Sequence, residues 1–262
     1  MMVSLTVTDL GLAAALLLAN AILMSQFSLG DYRSLIWSAA RMIVQLLMVG
    51  TALRFVFSYN LTWLTLLVFT VMLTAASFET GARLPARLAA GLQLVINGTS
   101  ITISTSVISA FALVTVFGFD GWLDARHAIP IAGIILGTAM NSASIALNTF
   151  FNGIALERNA IEAQLALGRT RWEALAPLVR RSIRSGLLPV TNQMVGAGII
   201  TMPGIMSGQI LAGQDPYEAG KYQIFLMLLL ASCGALSTFA SVLLTVLGTT
   251  DDRHRLRTDR LS

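Results

Sequence analysis

Charged residues are scarce in this sequence, and their scarcity excludes a water-soluble globular protein. Only 11% of the 262 residues are Asp, Glu, Lys or Arg, whereas 55% are hydrophobic and the mean hydropathy is +0.75. Soluble domains average about a quarter charged residues, which cover the surface in contact with water. The solvent for most of this chain is therefore lipid, and the composition predicts an all-α integral membrane protein.

The sequence contains one cysteine and one lysine, and its long apolar runs contain no acidic residue in their middle. Each of these features excludes a class of function. The single cysteine, Cys233, lies in an apolar run, so neither an intrachain disulfide nor a thiolate metal cluster can form. The single lysine, Lys221, is not part of a Gly-x4-Gly-Lys-Ser/Thr loop, so nucleotide hydrolysis would require another polypeptide. The 13 acidic residues lie in loops or at the ends of apolar runs, and no catalytic arrangement of side chains is visible. We therefore expect a non-catalytic protein.

Seven apolar runs approach or exceed the length of about twenty residues that a helix needs to cross a hydrocarbon core. They are Leu10–Met24, Leu35–Phe57, Leu61–Phe78, Leu88–Phe117, Ile129–Phe150, Gly186–Ala212 and Tyr222–Leu247. The first basic residue, Arg33, follows the first run, which is therefore expected to be a retained span and not a cleaved signal peptide. The sequence predicts about seven transmembrane helices in a single domain over residues 1–262.

The placement of arginine predicts which side of the membrane each loop occupies. With seven spans, most of the 17 basic residues fall on one side, namely Arg33, Arg83, Arg87, Arg158, Arg169, Arg171, Arg180, Arg181, Arg184, Arg253, Arg255, Arg257 and Arg260. This bias is the positive-inside signature, which places the N-terminus outside and the C-terminus in the cytoplasm. The net charge of +4 follows from this topology, so we expect no nucleic acid as a partner.

The one long cytoplasmic connection, between the fifth and sixth runs, is predicted to present a short helix. The segment Glu157–Leu167 has helical spacing, and Gly168 is expected to end it in the left-handed conformation. Thr170 and Glu173 then fit a capping box. Pro177 is expected to kink or restart the helix, which would leave a helix of about two turns lying crosswise between longer ones.

This coupling region, about residues 154–185, has the composition of a docking site for a cytoplasmic partner. Trp172 follows Arg171, and an exposed aromatic flanked by arginines is typical of an interface hot spot. The candidate docking residues are Glu162, Ala163, Gly168, Arg169, Thr170, Arg171, Trp172 and Glu173. The alternative is an amphipathic segment that lies on the membrane surface, with its arginines on phospholipid headgroups.

Amide side chains and a helix-breaking dipeptide inside the apolar runs mark a candidate translocation pathway. Asn141 and Asn148 are seven residues apart on one helix face, and an amide inside a bilayer must find polar partners. Pro203-Gly204 interrupts the sixth run, and broken helices are tolerated where protein or a water-filled cavity satisfies the backbone. The candidate pathway or gate residues are Asn97, Asn141, Asn148, Asn192, Gln193, Pro203, Gly204 and Met206. Helix packing and an ordinary kink are the alternatives.

Several motifs resemble those of known transporter subunits. Glu162-Ala163-Gln164-x3-Gly168 is similar to the Glu-Ala-Ala-x3-Gly core of the loop through which permeases of ATP-binding cassette (ABC) transporters contact their ATPase. A longer series covers roughly the C-terminal half: Pro130-Ile131-Ala132-Gly133, Ala139-Met140-Asn141, Leu167-Gly168, Met202-Pro203-Gly204-Ile205-Met206-Ser207-Gly208, Ala212-Gly213-Gln214-Asp215-Pro216 and Lys221-Tyr222-Gln223. This series resembles the FetB/YbbM family of iron-export permeases, whose plant relatives are implicated in aluminium tolerance.

The resemblance implies a permease half of an ABC transporter in the bacterial inner membrane, which pairs with a second copy. It also implies a separate cytoplasmic ATPase subunit, which holds ATP and Mg, so that no cofactor is expected in this chain. The sequence itself assigns no metal site, because His127 and His254 lie in a loop and in the tail and no group has metal-ligand spacing. A chelated metal, a nucleotide sugar or another conjugate, or a lipid remains an alternative cargo, and a self-contained channel or secondary transporter remains an alternative function.

Overall fold

The computed structural model describes residues 6–27, 32–59, 61–82, 84, 88, 90–251, 253 and 255–257, most of which lie in helices. The helices are α1 (Val7–Gln26), α2 (Tyr32–Tyr59), α3 (Thr62–Ala82), α4 (Ala90–Gly121), α5 (Ala125–Ala166), α6 (Arg171–Gly196), α7 (Gly204–Leu211) and α8 (Pro216–Thr249). The chain divides into two compact units, residues 1–59 with α1 and α2, and residues 60–262 with α3 to α8.

Six of these helices, α1 to α5 and α8, are long and apolar enough to cross a membrane. The prediction of an all-α, multi-pass membrane protein is therefore confirmed. The predicted run Gly186–Ala212 contains two helices, the end of α6 and the whole of α7, with a turn over residues 197–203 between them. The orientation of the termini remains a prediction. Some residues used in the sequence analysis lie outside the described residues, namely Arg83, Arg87, His254 and Arg260.

The first unit consists of α1 and α2, which pack against each other. A capping box begins α1: the Asp9 carboxylate accepts the Thr6 backbone N–H at 2.8 Å, and the Thr6 hydroxyl accepts the Asp9 N–H. Large apolar side chains such as Leu12 and Leu47 are exposed on these two helices. Such a surface suits contact with lipid, where apolar side chains need no polar cover.

The central helix of the second unit is α5, which contacts α3, α4, α6 and α8. Its 42 residues make it about 60 Å long, roughly twice the thickness of a hydrocarbon core. Small residues let its neighbours approach closely. A Cβ atom on Gly186 of α6 would lie 2.7 Å from the Ser142 carbonyl oxygen of α5 and 2.9 Å from the Thr238 hydroxyl of α8. Glycine at this point therefore allows α5, α6 and α8 to meet.

The prediction that Pro177 restarts the helix is wrong. α6 runs without interruption from Arg171 to Gly196, through both Pro177 and Pro189. An interior proline costs about 3 kcal/mol, whereas burial of one leucine side chain stabilises by about 1.5–3 kcal/mol. Leu175 and Leu178 flank Pro177, are 0% and 1% exposed, and belong to a cluster with side chains of α5 and α8. Their packing offsets the lost backbone hydrogen bond, and the crosswise helix of about two turns does not form.

Candidate functional site

The connection between α5 and α6 is a tight turn built on one glycine. Gly168 has φ +86°, as predicted, and its N–H donates to the Leu165 carbonyl, while the Arg169 N–H donates to the Gln164 carbonyl. This pair of hydrogen bonds is a Schellman motif, which satisfies the last carbonyls of α5 and reverses the chain direction. The predicted helix Glu157–Leu167 is accordingly the last part of α5, which ends at Ala166.

A capping box begins α6 directly after this turn, as the sequence predicts. The Thr170 backbone N–H donates to the Glu173 carboxylate at 2.8 Å, and the Glu173 N–H donates to the Thr170 hydroxyl at 3.3 Å. Two N–H groups at the start of the helix are thereby satisfied within the motif itself. The turn and the cap fix the two helices as a hairpin, and we name residues 162–173 the hairpin tip.

The hairpin tip exposes apolar and basic side chains side by side. Leu167 is 83% exposed and Trp172 is 43% exposed, and the side chain of Arg169 also lies at the surface. Ala163 is exposed, whereas Glu162 is half-buried and pairs with Arg158 at 2.8 Å. Sequence reasoning did not include Leu167 among the candidate docking residues, although its position beside Gly168 predicts exposure at the turn. An exposed aromatic side chain beside an arginine is the composition typical of interface hot spots.

The chain after α8 packs beside the hairpin. Arg171 Nη1 donates to the Thr250 hydroxyl at 3.3 Å, and Leu256 packs against the cluster that contains Leu175. The Arg257 N–H donates to the Thr249 carbonyl and the Asp251 N–H donates to the Arg255 carbonyl, so residues 249–251 lie antiparallel to residues 255–257, and we name these two segments the C-terminal turn. The Arg255 backbone N–H, with the Arg255 side chain, holds the pKa of the Asp251 carboxyl below its usual range. The C-terminal turn is thus part of the same end of the molecule as the hairpin tip.

Two of the predicted pathway residues meet in a pocket between α5 and α6, which we name the amide pocket. Its lining is Ile134, Gly137, Thr138, Asn141, Ser142, Pro189, Val190 and Gln193. Asn141 and Gln193 are both exposed on the single chain. Because exposed amides are unfavourable against hydrocarbon, this face requires water or another protein surface.

Asn148 continues the same face of α5 two turns further along. Its side-chain oxygen accepts from the Asn152 Nδ2 at 2.5 Å, and both residues are exposed. Together with Gly137 and Asn141, these residues form a stripe that the rest of the second unit leaves uncovered, and we name it the α5 stripe.

Asn192 faces a different pocket, on the side of α6 towards α8. That pocket is lined by Arg180, Ile183, Arg184, Leu187, Leu188, Thr191, Asn192 and Phe239. Two arginines lie at one end of it and one amide at the other, with apolar side chains between them. The structure therefore separates Asn192 from Gln193, although the two residues are adjacent in sequence.

Asn97 lies inside the second unit and away from both pockets. It is 0% exposed, and its Oδ1 accepts from the Gln93 Nε2 at 2.9 Å. Further along the same face of α4, the Ser100 hydroxyl is 2.8 Å from the Ser241 hydroxyl of α8. This polar stripe of α4 holds helices of one chain together, which is the packing role that hydroxyls and amides commonly have in membranes.

The helix break lies where the sequence predicts one, but it begins earlier. α6 ends at Gly196, whose carbonyl accepts the N–H groups of Ile200 and Thr201, and Gly198 has φ +84°. Pro203 then occupies the N-cap of α7, and Gly204 is the first helical residue. The half-buried Met206 of α7 points toward Gly220 of α8.

A third pocket lies at the beginning of α7, and we name it the α7 pocket. Its lining residues are Gln193, Thr201, Pro203, Gly204, Ile205, Gln223, Met227 and Leu230. Gln193 lines both the amide pocket and the α7 pocket, so the two are adjacent. Sequence reasoning did not include Gln223 among the candidate pathway residues, although a lone amide at the start of a long apolar run is a signal for one.

A metal centre is not apparent in the part of the chain that the structure describes. Within it, His, Cys, Asp and Glu side chains form no group of three or more that could hold a metal ion. The polar side chains that line the amide pocket and the α7 pocket are amides and hydroxyls.

Comparison with known proteins gives one family over nearly the whole chain. The model described as "Uncharacterised protein family (UPF0014)" matches residues 7–248. No solved structure matches the chain.

Several curated relatives match over most of their own length. The chain is 37% identical to "UPF0014 membrane protein slr1647" of Synechocystis, over 91% of this chain and 92% of that protein. It is 34% identical to "Probable iron export permease protein FetB" of Escherichia coli, over 97% of this chain and 95% of that protein. It is also 32% identical to "Protein ALUMINUM SENSITIVE 3" of Arabidopsis thaliana, over 80% of this chain and 75% of that protein.

Proposed function

The chain belongs to the UPF0014 family of membrane proteins, and on this premise we propose that it is the permease subunit of an ABC transporter that exports iron. The observation that carries the proposal is the match to the Escherichia coli protein whose name includes "iron export permease", which extends over 97% of this chain. A permease of this kind supplies the membrane path, and a separate cytoplasmic ATPase subunit supplies the energy from ATP and Mg. The bacterial inner membrane is the location that fits such an assembly.

The hairpin tip supports the proposal of an ATPase partner. Its apolar and basic side chains are exposed at Leu167, Arg169 and Trp172, where a cleft in a partner could receive them. The Schellman turn and the capping box hold the tip in one conformation, so little entropy is lost when a partner binds. The core beneath the tip joins α5, α6 and α8, so a displacement of the tip would be passed directly to the helices that carry the pockets.

A second copy of the permease completes the proposal. The α5 stripe leaves Asn141, Asn148 and Asn152 exposed along a helix that the structure identifies as a candidate span. A homodimer would place such amides between two chains, around a shared and water-accessible pathway. The pockets on this side contain amides and hydroxyls and no carboxylate, which favours a chelated metal or another conjugate as the transported species over a bare ion.

The proposal is tested by the iron content of cells that produce this chain with its native ATPase. Cells with the wild-type chain should contain less iron under iron load than cells with Trp172→Asp, at equal amounts of chain in the membrane. Trp172→Phe is the matched control and should behave as wild type, because it keeps an aromatic anchor. Equal iron content with and without the wild-type chain would contradict iron export.

A further inference from the structure

The N-terminus of α7 carries backbone N–H groups for which the described part of the chain provides no acceptor. Pro203 is the N-cap and provides no side-chain hydrogen bond, and it offers no N–H of its own. The N–H groups of Gly204, Ile205 and Met206 form the first turn, and none of them donates to an acceptor among the described residues. Unsatisfied N–H groups at a helix start carry a partial positive charge and attract anions.

The preceding turn brings this helix start into the α7 pocket. Gly198 has φ +84°, and the Gly196 carbonyl accepts the N–H groups of Ile200 and Thr201. The chain therefore folds back on the end of α6 before α7 begins. As a result, Gly204 and Ile205 line the same pocket as Gln193 of α6. The volume of this pocket is about 240 Å³.

Gln223 of α8 provides an independent indication of a ligand. Its side chain is 7% exposed, lines the α7 pocket, and has an Oε1 atom without a hydrogen-bond partner among the described residues. A buried amide atom without a partner costs about 1–3 kcal/mol, so such groups are rare unless a ligand or water satisfies them. The two ends of a glutamine amide can exchange by rotation, so Gln223 can also present its N–H₂ group to an acceptor.

The pocket therefore combines a helix start, two amides and a hydroxyl, and none of its lining side chains is charged. We infer that the α7 pocket binds a negatively charged oxygen group, a carboxylate or a phosphate, through the N–H groups of Gly204 to Met206 and the amide of Gln223. A helix start of this kind repels a bare cation by the same partial charge that attracts an anion. Thr201 and Gln193 complete the polar wall around the group.

The inference rests on the proposed function in one respect, namely that the bound group is part of the transported species. A metal would then pass this point as a complex that carries carboxylate or phosphate oxygens. Discontinuous helices in other transporters use their N-termini in this way to hold anionic groups of a substrate.

Binding of labelled inorganic phosphate and labelled citrate to the full-length chain, in nanodiscs of phosphatidylcholine, tests the inference by equilibrium dialysis. Gln223→Leu removes the amide and keeps the apolar volume. Pro203→Asp places a carboxylate at the N-cap, where it should accept the free N–H groups and support α7 while it excludes an outside anion. Gln209→Leu is the matched control, because Gln209 lies on α7, has an Oε1 with no partner in the described part of the chain, and does not line the pocket.

We expect saturable binding of at least one ion, weakened about tenfold or more by Gln223→Leu and by Pro203→Asp and unchanged by Gln209→Leu. Displacement of the label by phosphatidylglycerol would identify a lipid phosphate as the source of the group. If phosphatidylglycerol does not displace the label, the source is a soluble ion. A lack of saturable binding, or binding that survives both pocket variants, would overturn the inference. The assay contains no ATPase, so its outcome is independent of whether the chain pairs with one.

Discussion

At the scale of single residues, the amide side chains inside the predicted spans fall into two groups that the sequence could not separate. Asn97 and Asn141 both lie in apolar runs, yet Asn97 is buried among helices of its own chain and Asn141 lines an open pocket. Helical spacing identifies which residues share a face, but it does not identify which neighbouring helix covers that face. The two groups therefore predict different effects of the same substitution.

Replacement of Asn141 by leucine should impair transport and leave stability unchanged, because Asn141 is exposed in the amide pocket. Replacement of Asn97 should lower the stability and leave transport unchanged. Asn97→Leu leaves the Gln93 amide buried without its acceptor, at a cost of about 1–3 kcal/mol. Transport of labelled cargo and thermal unfolding in detergent distinguish the two variants. Unchanged transport of every tested cargo by Asn141→Leu would remove Asn141 from the pathway.

Gly186 provides a second test at this scale, because it marks the closest approach of α6 to α5. Gly186→Ala should destabilise the protein by about 1–3 kcal/mol, since the new methyl group would overlap the Ser142 carbonyl of α5. Gly208→Ala is the control, because nothing lies within 4 Å of the position of its Cβ. The midpoint of thermal unfolding should fall for the first variant only. An equal midpoint for both would contradict the helix contact at Gly186.

At the scale of elements, local signals predicted the ends of helices better than their continuity. The left-handed Gly168 and the capping box of Thr170 and Glu173 are confirmed, because these motifs depend on neighbours within a few residues. Pro177 was expected to kink or restart the helix; it does not restart it, because the packing of Leu175 and Leu178 is a tertiary effect. The break in the sixth run begins at Ala197 and not at Pro203, because the turn around Gly198 depends on hydrogen bonds to the Gly196 carbonyl.

The hairpin turn should be intolerant of proline at Gly168. Proline fixes φ near −65°, whereas Gly168 has φ +86°, so Gly168→Pro must change the path of the turn and displace Trp172. We expect loss of transport with normal insertion into the membrane, measured by cargo export and by the amount of chain in membrane fractions. Gly208→Ala, in the open interior of α7, is the control for a glycine substitution. Full transport by Gly168→Pro would show that the shape of the tip is irrelevant.

The C-terminal turn should loosen at acidic pH. The lowered pKa of Asp251 means that the folded turn favours the carboxylate form. Its contribution is complete above the ordinary carboxyl pKa of about 3.9 and is lost as the pH falls through the lowered value. Asp251→Asn should remove this dependence and increase hydrogen exchange at the amides of Arg253 and Arg255, which donate to the carboxylate at neutral pH. Slow exchange in Asp251→Asn at neutral pH would exclude Asp251 as the residue that closes the turn.

At the scale of the whole molecule, the uncovered α5 stripe predicts a second copy of the chain. Asn141 and Asn148 are exposed within the apolar run Ile129–Phe150 of α5, where a solitary chain would present them to lipid. The protein mass in mild detergent, measured by light scattering after gel filtration, should be twice 28.0 kDa. A chain that remains monomeric at all concentrations would mean that the stripe faces water or another partner.

The proposed function depends most directly on whether an ATPase binds the hairpin tip. The decisive measurement is purification of the tagged chain in mild detergent from cells that express its chromosomal neighbours, with mass spectrometry of the proteins that remain bound. We predict a stoichiometric partner that contains a Gly-x4-Gly-Lys-Ser/Thr loop and hydrolyses ATP, bound to wild type and Trp172→Phe and lost from Trp172→Asp. An oligomer of this chain alone, without any ATPase in all three preparations, would contradict the assignment and favour a self-contained channel or secondary transporter.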